Sequence, residues 1–243
     1  MYNITYKKIQ EGENLFDKSK FFQTDLVCPV CKVKFKQLKL KGGAFRTKTR
    51  DIDLCNTYEG INPNLYSAVV CPECGYANLD HSFQNKLSDV VISLMQKELP
   101  KSKTYKKDLT GERDYESAIE SYEQAIYCAN IAGHSASLLA GIYFRMTCLA
   151  KSFGSSNEDE YRLKAAEFYE KAYDHEEFPL GGKMSQTLVE YMISSMYFKL
   201  NKLEQSIYWL NFSISRDPKG LTDPKAYAMI KELWMTVKSI IKK

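Results

Sequence analysis

Apolar positions along the chain follow two different periods. In residues 1–82 lysines alternate with apolar side chains, and the stretch CKVKFKQLKLK is typical of a half-buried β-strand. Two further extended patterns, AFRTKTRDID and YSAVVC, are separated by the loop-like YEGINPNLY. From about residue 83 the apolar residues recur with the helical period. The pattern therefore predicts an α+β protein, with a small β module at 1–82 and an all-α domain at 83–243.

Seven helices are predicted in the second part of the chain. The first ends near Pro100 and carries one apolar face, formed by Phe83, Leu87, Val90, Val91 and Leu94. The other six are expected at 112–132, 135–152, 158–175, 184–200, 202–215 and 224–241. Asn157 and Asp223 are placed to cap the helices that follow them, because their side chains accept hydrogen bonds from helical N–H groups.

A small–large–small triplet recurs at positions i, i+4 and i+7 of three predicted helices. The triplets are Ala118-Tyr122-Ala125, Ala165-Tyr169-Ala172 and Ser206-Leu210-Ser213. Small residues at both ends of a two-turn face let neighbouring helices pack closely around one bulky side chain. This half of the chain resembles the tetratricopeptide repeat, which implies a stack of helical hairpins. A plain helical bundle is the alternative.

The repeat resemblance implies a concave groove that can bind a protein partner. Two matching helices and one tyrosine would line it, with the residues Phe144, Arg145, Phe198, Lys199 and Tyr191. Cations beside aromatic rings suit an acidic or carboxylate-bearing peptide, so Arg145 and Lys199 are predicted to recognise such a peptide together. In the alternative interpretation Phe144 and Phe198 are ordinary core residues.

Composition limits the class of protein. The 243 residues are 44% apolar and include only 7 prolines and 12 glycines, which favours a folded, helix-rich chain. No run approaches the roughly 18 apolar residues of a membrane span, and the N-terminus lacks the apolar core of a signal peptide. We therefore expect a soluble cytoplasmic protein that does not bind membranes. Thiols stay reduced in that compartment, so clustered cysteines are expected to bind metal.

Four of the seven cysteines have the spacing of metal ligands. Two residues separate Cys28 from Cys31, and Cys71 and Cys74 repeat this spacing after 39 intervening residues. Two such turns complete a tetrahedral site of four sulfurs, for which Zn²⁺ is the first choice and iron the alternative. Two dithiol redox motifs are a further alternative, but they lack the helix N-terminus that lowers a thiol pKa. With four protein ligands the ion is predicted to be structural.

A dense polar segment lies between the two cysteine pairs. Arg50, Asp51, Asp53 and Cys55 fall within six residues, and the last three share one face if the segment is extended. They can form a second site, with Cys55 as a nucleophile or as a ligand beside the two carboxylates. In the structural alternative, Arg50 and the aspartates hold the loop against the β module. An enzyme would also need a general base, and the helical half offers no histidine near an obvious nucleophile.

A basic stretch precedes this segment. Residues 32–50 hold eight lysine or arginine side chains and no acid, and this Lys32–Arg50 face invites phosphate binding. However, residues 1–82 carry 12 basic and 9 acidic side chains, and four thiolates with one Zn²⁺ reduce the net charge to about +1. Nucleic-acid-binding domains usually show a stronger excess. Interleaved lysines are also typical of a solvated strand face that protects a sheet edge.

Three sequence elements together resemble one bacterial family. They are RDIDLCNTYEGINPNLY between the cysteine pairs, VVCPECGYA at the second pair and EEFPLGG between two predicted helices. In combination they are similar to the uncharacterised bacterial family catalogued as domain of unknown function 2225. The resemblance covers essentially the whole chain from Leu15 and implies a zinc-ribbon-like module joined to tetratricopeptide-like helices. It implies no activity, and Lys32 replaces the glycine that often follows such a cysteine pair.

These observations lead to one functional hypothesis and two alternatives. We expect a non-enzymatic cytoplasmic adaptor that binds a protein or peptide through the helical groove, with zinc ordering the N-terminal module. The first alternative is a nucleic-acid-associated regulatory factor that uses the Lys32–Arg50 face. The second alternative is an enzyme that works from Asp51, Asp53 and Cys55.

Overall fold

A computed structural model describes residues 18–241, so Leu15 and the outermost residues of both predicted domains lie outside the described part. The strands are β1 (Phe21–Val27), β2 (Lys34–Leu40), β3 (Phe45–Arg50), β4 (Asn56–Gly60), β5 (Ala68–Val70) and β6 (Ala77–Leu79). The α-helices are α1 (Asp89–Glu98), α2 (Tyr115–Ala132), α3 (Ala136–Phe153), α4 (Glu158–His175), α5 (Gln186–Lys199), α6 (Leu203–Arg216) and α7 (Pro224–Ile241). None of these helices is long and apolar enough to cross a bilayer.

The six described strands pair two by two, which confirms the α+β class when taken with the helices that follow. β1 and β2 are antiparallel over their full length, and Val27 lies opposite Lys34 at the connected end. β5 and β6 are also antiparallel, with Val70 opposite Ala77 at the connected end. β3 pairs with β4 in a third two-stranded sheet. The first and last pairs are therefore hairpins, and each hairpin connection carries one of the two cysteine pairs.

The alternating sequence pattern predicts three of the six described strands. β2, β3 and β5 lie where the extended patterns predict them. β1 buries only Phe21 and Leu26, which does not follow the strand period, and β6 has just three residues. β4 covers Tyr58 to Gly60, so the prediction of a loop there is wrong. These three strands exist because each has a strand to pair with, which the local pattern does not reveal.

Helices α2 to α7 begin and end within three residues of their predicted bounds. Helix α1 differs, because Phe83 lies in a turn and the helix starts only after Ser88, whose side chain accepts a bond from a backbone N–H. Its buried residue is Met95, whereas Val90 is 70% exposed. The predicted apolar face of this helix is therefore wrong, because the helix starts later than expected and buries Met95 where it packs against α2.

The predicted helix caps have different outcomes. Asp223 caps α7, where its Oδ1 accepts the N–H of Ala226 at 3.0 Å. Asn157 does occupy the cap position of α4, but its side chain makes no capping bond. A reciprocal box that the sequence reading missed begins α2 instead. There the Asp114 carboxylate accepts the Ser117 N–H at 2.9 Å, and the Ser117 hydroxyl accepts the Asp114 N–H at 3.1 Å.

The small–large–small triplets lie in the interior. Each of their members is at most 3% exposed: Ala118, Tyr122, Ala125, Ala165, Tyr169, Ala172, Ser206, Leu210 and Ser213. This burial agrees with the proposed use of small residues for close helix packing. Assignment of these helices to tetratricopeptide repeats stays a prediction.

Spatial contacts divide the chain into two compact units. Among the described residues, the first unit contains 18–49, 57–134 and 148–156. The second contains 50–56, 135–147 and 157–241. This division differs from the predicted one in that it places α1 and α2 with the strands and the polar segment 50–56 with the helices.

In the first unit, α2 packs on β5, β6 and α1. Arg113 precedes this helix and is buried among backbone carbonyl groups. Its guanidinium donates to the carbonyl oxygens of Ala68 at 2.7 Å, Leu65 at 3.3 Å and Leu109 at 2.7 Å. Desolvation by burial lowers the pKa of Arg113 to about 10. These bonds fix the backbone that enters β5, and β5 leads directly into the second cysteine pair.

In the second unit, α5 is central and packs against α4, α6 and α7. Its Glu190 is fully buried, and the carboxylate pairs with Arg216 at 2.6 Å and accepts the Tyr173 hydroxyl at 2.7 Å. Apolar clusters lie on two sides of α5, one around Ile193 and the other around Leu210. A buried carboxylate of this kind is tolerated because its charge and its hydrogen-bonding capacity are both satisfied.

Candidate functional site

The first cysteine pair lies in the connection between β1 and β2. The Cys28 N–H donates to the Val33 carbonyl at 3.0 Å, and the Cys28 carbonyl accepts the Lys32 N–H at 3.0 Å. Lys32 adopts a left-handed backbone with φ of 64°, and its Nζ donates to the Pro29 carbonyl at 2.7 Å. The turn therefore forms with a lysine at the position where a glycine is more usual.

The second cysteine pair repeats this backbone bonding between β5 and β6. The Cys71 N–H donates to the Tyr76 carbonyl at 2.8 Å, and the Cys71 carbonyl accepts the Gly75 N–H at 2.9 Å. Gly75 has φ of 75°, and a Cβ at this position would lie 3.3 Å from the carbonyl oxygen of Thr104. The second turn therefore favours glycine at position 75 both because of its backbone conformation and because a side chain would be crowded there.

The two turns bring the four predicted ligand atoms together. The sulfurs of Cys28 and Cys74 are 3.6 Å apart, as are those of Cys31 and Cys71, and all four lie within 4.8 Å of one another. A tetrahedron with metal–sulfur bonds of about 2.3 Å has edges of about 3.8 Å. The distances also exceed the roughly 2.05 Å of a disulfide, and all four cysteines are free. The cluster can hold one metal ion of this coordination geometry.

The thiols of this cluster differ in acidity because they share hydrogen bonds. Hydrogen bonds from Cys28 and Cys74 lower the pKa of Cys71, since they stabilise its thiolate. The hydrogen bond to Cys71 raises the pKa of Cys28, and the hydrogen bond to Cys28 raises that of Cys74. A bound cation would take the place of the shared protons, so metal binding releases protons and weakens as the pH falls.

Helix α2 supports the second cysteine turn through residues that the sequence reading did not single out. Gln124 is 4% exposed, and its Nε2 donates to the Gly75 carbonyl at 2.7 Å and to Ser102 Oγ at 3.3 Å. One turn further on, Cys128 Sγ accepts the Ala77 N–H at 3.2 Å, and burial raises the pKa of this thiol to about 12. Both residues follow the turn by about 50 positions, so no local motif links them to it.

The polar segment 50–56 forms a turn. The Asp51 N–H donates to the Cys55 carbonyl and the Leu54 N–H to the Asp51 carbonyl, both at 2.9 Å, and Leu54 has φ of 64°. The segment is therefore not extended, so the expectation that its aspartates and Cys55 share one face is wrong. Arg50 is exposed, and its Nε donates to Asn56 Oδ1 at 3.0 Å across the base of the turn.

Asp53 and Arg162 form a buried ion pair that holds the polar segment on α4. Asp53 is fully buried and Arg162 is 1% exposed. Asp53 Oδ2 accepts bonds from Nε and Nη2 of Arg162, both at 3.3 Å, while its Oδ1 accepts the Cys55 N–H at 3.1 Å. Glu158 and Asp159 also pair with the Arg162 guanidinium. Asp53 therefore has the structural role of the second interpretation, but it holds the loop on helix α4 rather than against the β module.

Two of the predicted groove residues bind the same segment. Lys199 Nζ pairs with Asp51 Oδ2 at 2.9 Å, and the Tyr191 hydroxyl donates to the Ile52 carbonyl at 2.5 Å. Ile52 and Leu54 also pack against the apolar cluster around α5 and α7. This part of the predicted groove is thus filled by the chain itself, and Lys199 already pairs with a carboxylate of the same chain.

The remaining groove residues have separate surroundings. Arg145 Nη1 donates to the Gly141 carbonyl of its own helix at 2.7 Å. Phe144 and Phe198 are partly buried and pack against the apolar clusters of the second unit, as the core alternative expects. Joint recognition of a partner by Arg145 and Lys199 stays a prediction.

Cys55 does not offer a thiol. It is 2% exposed and its sulfur is in a disulfide bond. A nucleophile or a metal ligand has to be a thiolate. The disulfide leaves Cys55 without the thiolate that the second-site interpretation needs, and its burial agrees with the structural alternative.

The Lys32–Arg50 face is mostly solvated. Lys34 and Lys36 are exposed on β2, while Phe35 between them turns inward and its ring contacts that of Phe83 at 5.8 Å. Lys39 pairs with Asp80 at 2.7 Å. The basic residues of β3 are exposed as well. This placement agrees with a solvated strand face, and nucleic-acid binding by it stays a prediction.

Comparison with known families decides where this architecture belongs. The profile of a family described as an uncharacterised protein conserved in bacteria, DUF2225, matches residues 21–237. The chain belongs to this family. The match includes both cysteine pairs, the polar segment and most of α7, which confirms the resemblance drawn from the sequence elements. Comparisons with curated proteins and with solved structures found no match.

The four-sulfur geometry makes a prediction about metal content. Replacing Cys71 with serine removes one of four ligands, so we expect freshly purified Cys71→Ser protein to hold much less metal than the parent in elemental analysis. Far-UV circular dichroism should show that the helical signal is largely kept. Cys55→Ala is the matched control and should leave the metal content unchanged. Metal-free parent protein, or an equal loss in both variants, would contradict the ligand set.

The two aspartates of the polar segment should differ strongly in their effect on stability. Asp53→Ala leaves the Arg162 guanidinium buried without one of its carboxylates and is expected to cost about 3 kcal/mol or more of unfolding free energy. Asp51→Ala breaks an ion pair whose partners are 29% and 30% exposed, so about 1 kcal/mol or less is expected. Urea denaturation of both variants measures this difference. Equal effects would show that Asp53 is not the anchor of the segment.

Proposed function

We propose that this protein is a non-enzymatic scaffold in which a structural zinc ion orders the first unit and the helices of the second unit bind a protein partner. The observation that carries the proposal is the set of four cysteine sulfurs, which all lie within 4.8 Å of one another. Four protein thiolates fill the tetrahedral coordination of Zn²⁺ and leave no position for water or substrate. A closed site of this kind supports structure rather than chemistry.

Zinc is proposed over iron on chemical grounds. Both ions accept four thiolates in tetrahedral geometry. Zn²⁺ has no redox chemistry, and its structural sites commonly consist of cysteine ligands alone. A red-brown colour of the purified protein would instead indicate iron.

The stabilising role of the ion follows from the small size of the strand pairs. β5 and β6 have three residues each, and an isolated two-stranded hairpin is marginally stable in water. Structural Zn²⁺ in small modules contributes on the order of 10 kcal/mol of apparent folding free energy at neutral pH. One ion that ties both hairpins together can therefore supply the stability that their short ladders lack.

The polar segment supports a non-enzymatic role. Asp53 is engaged by Arg162, Asp51 by Lys199, and Cys55 is in a disulfide. General acid–base or nucleophilic catalysis needs a carboxylate or thiolate that can reach a substrate. The residues that suggested an enzyme instead form contacts that hold the segment in place.

A partner surface on the second unit is proposed in place of a catalytic pocket. A partner that used the groove around Tyr191 and Lys199 would have to displace residues 50–56, which already bind there. Other faces of the helices carry aromatic side chains in the open, including Tyr208, which is 61% exposed. Exposed aromatic residues clustered on one surface are typical of sites that bind another protein.

Affinity capture tests this role. The tagged full chain is incubated with bacterial lysate in moderate salt, with and without nuclease, and a Lys34→Gln/Lys36→Gln variant serves as the control bait. We expect the same proteins to be captured in all arms, because protein contacts do not depend on the basic strand face. Loss of all partners after nuclease treatment and with the lysine variant would assign the protein to nucleic acid instead. No specific partner in any arm would contradict the scaffold.

A further inference from the structure

Helices α4 and α6 of the second unit line an open cleft of about 550 Å³. Its walls combine aromatic rings with carboxylates: Tyr208, Trp209 and Phe212 on one side, and Glu170, Asp174 and Glu204 around them. The cleft is separate from the four-cysteine cluster, which lies in the first unit.

The aromatic residues form a continuous surface. The rings of Tyr208 and Phe212 are stacked, with centroids 6.2 Å apart and planes 20° apart. Trp209 meets both of them edge to face, at 5.8 Å and 5.7 Å, and Tyr173 lies edge to face with Trp209 at 5.2 Å. Tyr208 is 61% and Phe212 36% exposed, so ring faces on α6 are open to a ligand.

The carboxylates of the cleft either accept hydrogen bonds from neutral donors or are exposed to solvent. Glu170 is held by neutral donors, since its Oε1 accepts the Trp209 Nε1–H and its Oε2 accepts the Tyr197 hydroxyl, both at 2.8 Å. None of the ion pairs found within residues 18–241 involves Glu170, Asp174 or Glu204. The nearby Glu190 differs, because Arg216 already neutralises it.

We propose that this cleft binds the side chain of a lysine or arginine in a basic segment of a partner protein. A cation over the face of a tyrosine or tryptophan is attracted by the ring quadrupole, and neighbouring carboxylates strengthen the attraction. An acidic segment would be repelled by the three carboxylates, and a purely apolar segment would desolvate them without compensation. The inference names the partner chemistry of the proposed scaffold and therefore rests on that function.

Trp209 provides a direct readout of the cleft. The chain has two tryptophans, so a Trp234→Phe background leaves Trp209 as the only indole fluorophore. The probe is a tetralysine peptide with blocked ends, titrated into the full chain at low salt. Its fully acetylated form is the neutral control. We expect a saturable change in fluorescence with the cationic peptide that weakens at high salt, and none with the acetylated peptide.

Variants of exposed residues separate the contribution of the aromatic ring from that of the carboxylates. Tyr208→Leu keeps an apolar side chain but removes the ring, and Asp174→Asn with Glu204→Gln removes two charges without changing shape. Each is expected to weaken tetralysine binding about three- to tenfold. Glu232→Gln removes an exposed carboxylate from α7, outside the cleft, and should leave the affinity unchanged. Circular dichroism should be the same for all of these variants.

Three results would overturn the assignment of the cleft. They are equal binding of the acetylated peptide, unchanged affinity in both cleft variants, and loss of affinity in Glu232→Gln to the same extent. The scaffold proposal is tested separately by affinity capture, because it requires that proteins are captured, whichever surface binds them. If partners are captured equally well by the parent and by Tyr208→Leu, the scaffold stands and the cleft is not its binding site.

Discussion

The convergence of four cysteine sulfurs within 4.8 Å of one another is the constraint around which the first unit is arranged. Each pair comes from a hairpin connection with the same two backbone bonds, at Cys28 and at Cys71. The strands that flank each connection hold the sulfurs at the distance of tetrahedral ligands. Arg113 and Gln124 then fix the second hairpin through backbone carbonyls, so α2 acts as its support.

In the second unit, the corresponding constraint is the buried charge of Asp53. A carboxylate without exposure to water has to be neutralised, and Arg162 does so from helix α4. The same segment is held at its other acidic residue by Lys199 and at a backbone carbonyl by Tyr191. The densest polar cluster of the sequence is therefore explained by packing of the segment on the helices of the second unit.

The sequence predicts those features that depend on local spacing. The spacing of the two cysteine pairs predicts the four-sulfur cluster because each pair needs only a tight turn, and the helical period predicts α2 to α7. Features that depend on distant residues are missed. Asp53 meets Arg162 across 109 positions, and β1 and β6 form because of the strands they pair with. The buried face of α1 depends on its packing against α2, and the cleft beside Tyr208 needs Glu170 and Asp174 from α4 as well as the aromatic residues of α6.

X-ray absorption spectroscopy of the purified full chain tests the central claim most directly, because it reports both the element and its ligands. The account predicts a zinc edge and a first shell of four sulfurs at about 2.3 Å. A shell that contains nitrogen or oxygen at about 2.0–2.2 Å would contradict the four-cysteine site. Protein that holds no metal at all would contradict the claim that an ion organises the first unit.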